Sequence, residues 1–269
     1  MPELTLKIKD AAGNILAEST GMDSAALVYN KAYTEGDVIT LTSSEKNQYL
    51  CIRLDDAISL AFVYFTEGEY ALPVPFGEKK IAYSPKSFSG KMHLLTVRTA
   101  CSFEISAYRN LARNEYDHAA NAVCFPNVHA NVETRGEPVF AARNAINGNC
   151  ENRSHGFWPY ESWGINQQDD AEITVSFGRP VKIDCMVLFT RADFPHDNWW
   201  EQATFTFSDG FEMIAPLTKT AAPQKIPFPK RTVEWVRMSH MVKGNDPSPF
   251  PALSQWEIYG TEVKKDENT

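Results

Sequence analysis

Long hydrophobic runs, paired cysteines and a surplus of positive charge are all missing from this sequence. The longest apolar stretch, residues 58–65, falls far short of the roughly 20 residues that a transmembrane helix needs. The five cysteines (Cys51, Cys101, Cys124, Cys150 and Cys185) are odd in number and scattered, with no Cys-x-x-Cys pair. Zinc and redox motifs therefore have no support, and reduced thiols are the plain reading. No Gly-x-Ser-x-Gly elbow, phosphate loop or His-Glu-x-x-His motif occurs either. Acidic side chains outnumber basic ones 34 to 26. Residues 1–120 carry 12 basic and 15 acidic groups and residues 121–269 carry 14 and 19, so neither half is basic. A nucleic-acid partner lacks electrostatic support, and an anionic membrane surface is disfavoured for the same reason. The N-terminal residues show no charged region followed by an apolar stretch, so a signal peptide is not seen and a cytoplasmic location is expected. A secreted protein whose leader has been removed is the alternative.

What is present is a chain of 269 residues, 43% hydrophobic and 22% charged, enough for two domains with buried cores. Short alternating segments at 4–8, 38–41, 49–54, 59–65 and 94–98 predict strands, separated by turn signals such as Ala12-Gly13-Asn14 and Glu35-Gly36-Asp37. A short helix is expected over 23–29, with Asp23 or Ser24 at its N-cap. Residues 105–113 fit either a second helix or a closing strand and its exit. From 114 to 132 the periodicity lapses, and that stretch reads as a linker. Strand patterns resume at 172–177, 183–189, 203–207, 233–238 and 256–259. The expected fold class is all-β, with two β-sandwich domains. Residues 1–113 form the first, of unknown role, and 133–262 the second; 263–269 read as a disordered tail.

All six tryptophans lie after residue 157. Trp235 and Trp256 fall inside strand patterns, where packing is their default role. Trp158, Trp163, Trp199 and Trp200 fall between strands, beside Gly, Pro, Asn and Asp. A loop aromatic either plugs the end of a sandwich or stacks on the apolar face of a sugar ring while polar neighbours bind its hydroxyls.

The run Ala141-Ala142-Arg143-Asn144-Ala145-Ile146-Asn147-Gly148-Asn149 resembles the opening motif of discoidin domains, also called factor 5/8 C-type or galactose-binding-like domains. Further matches keep the family order: 173–178, 183–191, the Ser208-Asp209-Gly210 hairpin and the closing segment 253–260. The resemblance spans about residues 130–262 and implies a galactose-binding-like jelly-roll sandwich that binds carbohydrate. It also implies a structural Ca²⁺, whose ligand positions would be Asn144, Asn147, Asn149 and Asn152, with Ser254 and Gln255 from the other end. Here Asn147 and Gln255 replace the family's two carboxylates, which removes most of the charge compensation, so no cofactor is required and Ca²⁺ binding should be weakened greatly. In sugar-binding members an arginine ending the central strand grasps hydroxyls, and Arg191 matches it. The loop after it offers Asp193, His196, Asp197 and Trp199; the first long loop offers His155, Trp158, Tyr160 and Trp163. Together these nine residues are the expected ligand site, formed by loops at one end of a rigid scaffold. The plain alternative for Arg191 is an ion pair with Asp193 or Asp197.

The expected function is non-catalytic binding of a glycan or small saccharide. Two other classes stay open. Loop carboxylates such as Asp193, Asp197 and Glu201, with His196 or His155, could serve a glycan-active enzyme. The loop aromatics could equally form a protein–protein hot spot. The sequence does not specify an oligomeric state.

Overall fold

A computed structural model describes residues 1–151, 156, 158–192 and 196–263. Leu4, Leu6 and Ile8 recur at every second position and all are fully buried, because successive side chains of a strand point to opposite faces. They form the inner face of β1 (Glu3–Lys9). There follow β2 (Ile15–Met22), β3 (Ser24–Tyr29), β4 (Val38–Ser43), β5 (Gln48–Arg53), β6 (Ala61–Phe65), β7 (Glu69–Pro73) and β8 (His93–Thr99). One antiparallel sheet runs β2-β1-β4-β7; the second contains β6-β5-β8-β3 in that order. Apolar residues of both sheets, among them Ile39, Leu41, Leu50, Ile52, Val63 and Leu95, share one core.

After a single turn of helix α1 (Ser102–Ile105) come β9 (Arg109–Asn110), β10 (Cys124–Phe125), β11 (Asn127–Ala130) and β12 (Trp163–Gly164). Four longer strands and one short one complete the fold: β13 (Ile173–Thr190), β14 (Trp200–Phe207), β15 (Glu212–Pro216), β16 (Gln224–Lys243) and β17 (Ala252–Glu262). They order as β12-β17-β13-β16-β14-β15, with β11 on β13 and β9 on β17. The register of β13 on β16 shifts between Ser176 and Val181 and again between Ile183 and Cys185. Such bulges bend strands, and here one sheet wraps a core built on Trp163, Phe177, Trp200, Phe205, Phe207 and Trp256. The all-β expectation holds for both modules.

Two local expectations are corrected. Residues 24–29 are strand, not helix: Asp23 turns the chain at φ 60°, and Ala25, Leu27 and Tyr29 are then buried alternately while β3 pairs with β8. The alanine pair and the acidic start resemble a helix cap, but burial follows period 2. The 105–113 segment resolves into the end of α1 and the two residues of β9.

The stretch 114–132, read as a linker, is packed into both modules. β10 pairs with β6 of the first module and β11 with β13 of the second. Asn114, Asp117 and Asn121 are buried and hydrogen-bonded. Asn114 Nδ2 donates to the carbonyls of Cys124 (3.3 Å) and Pro126 (2.8 Å), and Asn121 Nδ2 donates to Asp117 Oδ1 (2.7 Å). The backbone N–H of Val128 donates to Asp117 Oδ2 (3.0 Å). A polar segment can lie inside when its own backbone and amide groups satisfy one another. A charged knot also fastens the modules. Glu262 at the end of β17 accepts from Arg109 (2.5 Å), from Arg179 (2.6 and 2.9 Å) and from the Tyr49 hydroxyl of the first module (2.9 Å). Of the expected tail, residues 264–269 lie outside the described residues.

Candidate functional site

β13 ends at Thr190, and the next residue, Arg191, is held by its backbone N–H to the Ala252 carbonyl (3.1 Å) at the start of β17. Its guanidinium turns inward: the residue is 1% exposed, and it donates through Nε to Asp197 Oδ2 (3.0 Å) and through Nη1 to the Tyr160 carbonyl. Burial raises the Asp197 carboxyl above the ordinary range, opposed by the Arg191 and His196 side chains. His196, half exposed, places Nδ1 3.3 Å from Asp197 Oδ1. The loop behind them is pinned by Asn198, whose Nδ2 donates to the carbonyls of Gly244 (3.1 Å) and Ser248 (2.8 Å). The Ser248 hydroxyl in turn donates to the His196 carbonyl.

Arg191, His196 and Asp197 line a cleft of about 290 Å³. Its other walls are Phe140 with Thr134 and Arg135, the 164–167 turn, and Phe250 with Pro251 and Ala252. Asn166 and Gln167 both take positive φ (49° and 60°), and the Asn166 N–H donates to Thr134 Oγ1 (2.9 Å), which joins two of the walls. Phe250 is 43% exposed, so an aromatic face is offered to solvent beside the charged floor.

The structure brings together three of the nine expected ligand residues and separates others. Arg191, His196 and Asp197 share the cleft. Tyr160 contributes its carbonyl, while its ring is buried. Trp163 corrects the expectation outright: it is fully buried, donates Nε1 to the Val132 carbonyl (2.9 Å) and packs against Trp200 at 6.4 Å between ring centroids. Trp199 lies over Gly244, where an added Cβ would meet its ring at 2.3 Å, with Lys219 Nζ 5.0 Å from the ring centroid. It does not line the cleft. Trp158 is 40% exposed but belongs to a different cleft, near Asn147 and Asn149. His155 and Asp193 lie outside the described residues.

Phe140, Asn166, Gln167 and Phe250 were missed. A faint signal existed for three of them: Asn166-Gln167 precedes Gln168-Asp169-Asp170, a polar run suited to a turn, and Phe250 is a lone aromatic within Pro247-Ser248-Pro249-Phe250-Pro251.

Of the metal positions, the Asn147–Gly148 turn meets the other end of the chain through Gln255, since the Gly148 N–H donates to Gln255 Oε1 (3.1 Å). As arranged, however, they do not fit Ca²⁺, which takes six to eight oxygen ligands including carboxylates. Asn147 Oδ1 accepts from the Asn149 N–H (2.8 Å), and Asn144 Oδ1 accepts from Arg143 (3.2 Å). The nearby carboxylate, Glu161, accepts from the amide nitrogens of Asn147 (3.3 Å) and Asn149 (2.6 Å). Against Gly148 (φ 83°) sits a cation already: a Cβ there would meet Arg113 Nε at 2.8 Å. Ser254 Oγ is buried without a hydrogen-bond partner, and Asn152 lies outside the described residues.

No family model matches the chain, and no curated protein does. Solved structures do. Chitosan-binding module 1 of a chitosanase/glucanase from Paenibacillus sp. IK-5 is 21% identical over 56% of this chain and 98% of its own, with a TM-score of 0.40. The family 32 module of C. perfringens NanJ, in complex with galactose, is 14% identical over 57% and 99%, with a TM-score of 0.41. The lectin binding domain of Lectinolysin, complexed with Lewis b, is 15% identical over 58% and 99%, with a TM-score of 0.42. These three are sugar-binding modules, and a Ruminococcus gnavus GH29 fucosidase is also among the structural neighbours. Identities and scores this low describe a likeness of architecture, and what each module binds stays with that module.

Proposed function

We propose that the protein binds carbohydrate, without cleaving it, in the cleft floored by Arg191 and Asp197. The observation that carries the reading is the pairing of those two groups beside an exposed aromatic ring. A guanidinium only donates and a carboxylate only accepts, so together they serve both ends of neighbouring hydroxyls. Phe250 and Phe140 supply apolar faces for the C–H side of a sugar ring. Hydrolysis by the usual route needs two carboxyl groups about 5–9.5 Å apart across the bond. Among the described residues lining the cleft, Asp197 is the one carboxylate, and it is committed to Arg191. That supports a non-catalytic role. The turn that holds Ca²⁺ in the family is here tied to Gln255, faced by Arg113 and outside this cleft, which supports binding without an added metal.

Affinity for a single site of this kind is on the order of 0.1–1 mM, because a wet sugar exchanges water hydrogen bonds for protein ones. A glycan-array screen with and without Ca²⁺ tests the reading. Binding to a related set of sugars, unchanged by Ca²⁺ and lost in Phe250→Ala, is the expected result. Silence across the array in both conditions would overturn it and shift weight to a protein-interaction surface. Turnover of any bound glycan, abolished in Asp197→Asn, would make the protein an enzyme.

A further inference from the structure

A second cleft, also of about 290 Å³, lies between the two modules. The first module contributes Ser59, Tyr83 and Ser87; the second contributes the Asn147–Asn149 turn, Trp158 and Glu161; Arg113, Glu115 and Arg143 stand between them. The two guanidinium groups and the two carboxylates cancel in formal charge.

Most of this polar capacity is already used. Arg143 donates to the carbonyls of Asp117 (2.8 Å) and Glu115 (2.9 Å) and to Asn144 Oδ1 (3.2 Å), with its guanidinium over the Tyr83 ring at 4.5 Å. Glu161 accepts from both asparagine amides and, through Oε2, from the Tyr160 N–H (3.1 Å). Two buried atoms are left over. Glu115 is 4% exposed and pairs with Arg113 through Oε1 alone (2.6 Å), leaving Oε2 without a partner. Ser87 is 1% exposed, and its Oγ has no partner. Most buried side-chain polar atoms in native proteins are matched, and although others in this chain also lack a partner, these two face the same cleft, which points to something that enters it. At the rim stands the Trp158 indole, and the Arg113 side chain is itself 44% exposed.

We propose that this junction cleft is a second ligand site, which takes one ring of a neutral polyhydroxylated ligand such as a pyranose. The carboxylate oxygen accepts, the guanidinium donates and the serine does both, so the ligand must carry donors and acceptors at close spacing. Cancelling charges select against an ion of either sign. The exposed indole suits an apolar ring face. The volume sits at the lower end of small-ligand pockets, roughly 300 Å³. The two clefts share no lining residue, so this site does not depend on the first.

The test is a nuclear magnetic resonance titration of the full chain, ¹⁵N-labelled at tryptophan, with galactose, glucose and N-acetylglucosamine. The Trp158 indole signal is assigned from Trp158→Phe. One of these sugars should shift that signal saturably. Glu115→Gln should weaken the response at least about tenfold and Ser87→Ala several-fold, as loss of a charged and a neutral hydrogen bond would. Phe250→Ala, which strips the first cleft, should leave the response in place. A Trp158 signal unmoved by every sugar overturns the junction site, whether or not the first cleft binds. So does a response insensitive to both Glu115→Gln and Ser87→Ala, or a signal that moves with calcium chloride and with no sugar.

Discussion

Arg191 links the packing of the fold to the proposed site. It is 1% exposed and ion-paired to an Asp197 that is itself 7% exposed, as the ion-pair reading expected, and it also lines the cleft of the proposed site. Removing one member of a buried pair leaves an uncompensated charge, at a cost of about 3–5 kcal/mol. Arg191→Ala should therefore lower stability by about that amount in urea denaturation at neutral pH. Because burial already raises the Asp197 carboxyl, acidification should protonate it and restore part of the loss. The exposed Phe250 offers the opposite case. Phe250→Ala should change stability by no more than about 0.5 kcal/mol, as surface substitutions do, while glycan retention falls. A variant in which both stay unchanged would remove Phe250 from the site.

Among the elements, the long strands decide most. β13 and β17 approach so closely at Gly260 that a Cβ there would sit 2.0 Å from the Lys182 carbonyl oxygen and 2.9 Å from the Ile183 Cα. Both obstacles are backbone, so neither can rotate aside. Gly260→Ala should cost more than the 1–3 kcal/mol typical of overpacking and prevent the C-terminal sheet from closing. Soluble yield and the denaturation midpoint measure it. Gly244→Ala is milder, since what it meets is the ring of Trp199. About 1–3 kcal/mol is expected there, with a change in the environment of that tryptophan seen by fluorescence.

Strand content was legible at this scale because period-2 burial is written in the chain, as in Leu4, Leu6 and Ile8. β3 was not, since Ala25-Ala26-Leu27 carries little periodicity of its own and is strand because β8 lies beside it. Nor was the fate of the tryptophans legible. Trp163 was expected in the ligand site and Trp200 was left open between a plug and a sugar platform, yet both are buried in the core.

For the whole molecule, the decisive feature is the Glu262 knot joining β17 to Tyr49 across the module boundary. Burial pushes the Glu262 carboxyl up, but hydrogen bonds and charge from Arg179, the Arg109 charge and the Tyr49 hydroxyl outweigh it and hold the group below its ordinary range. A carboxyl whose native pKa is depressed adds stability above its unfolded value, about 4.3, and that contribution is lost as pH falls through the native value. Stability should thus decline below about pH 4, and Glu262→Gln should flatten that part of the profile while costing about 3–5 kcal/mol at neutral pH. A profile that is identical in wild type and variant would show that the knot contributes nothing. With β10 and β11 woven into different sheets, the two modules should also unfold in one calorimetric transition.

By itself the sequence determined the class of fold, the two strand-rich regions, a motif order that resembles discoidin domains and the polar run that follows Arg191. Those follow from local alternation, turn residues and spacing, which a single chain displays. Only the tertiary structure decided that Asn114, Asp117, Asn121 and Asn127 are buried within the stretch 114–132. It also decided that Trp163 is core, that Phe140 and Phe250 face Arg191, and that Arg113 stands against the Asn147–Gly148 turn. Each of these depends on a partner distant in sequence, and no periodicity or local motif records where such a partner will lie.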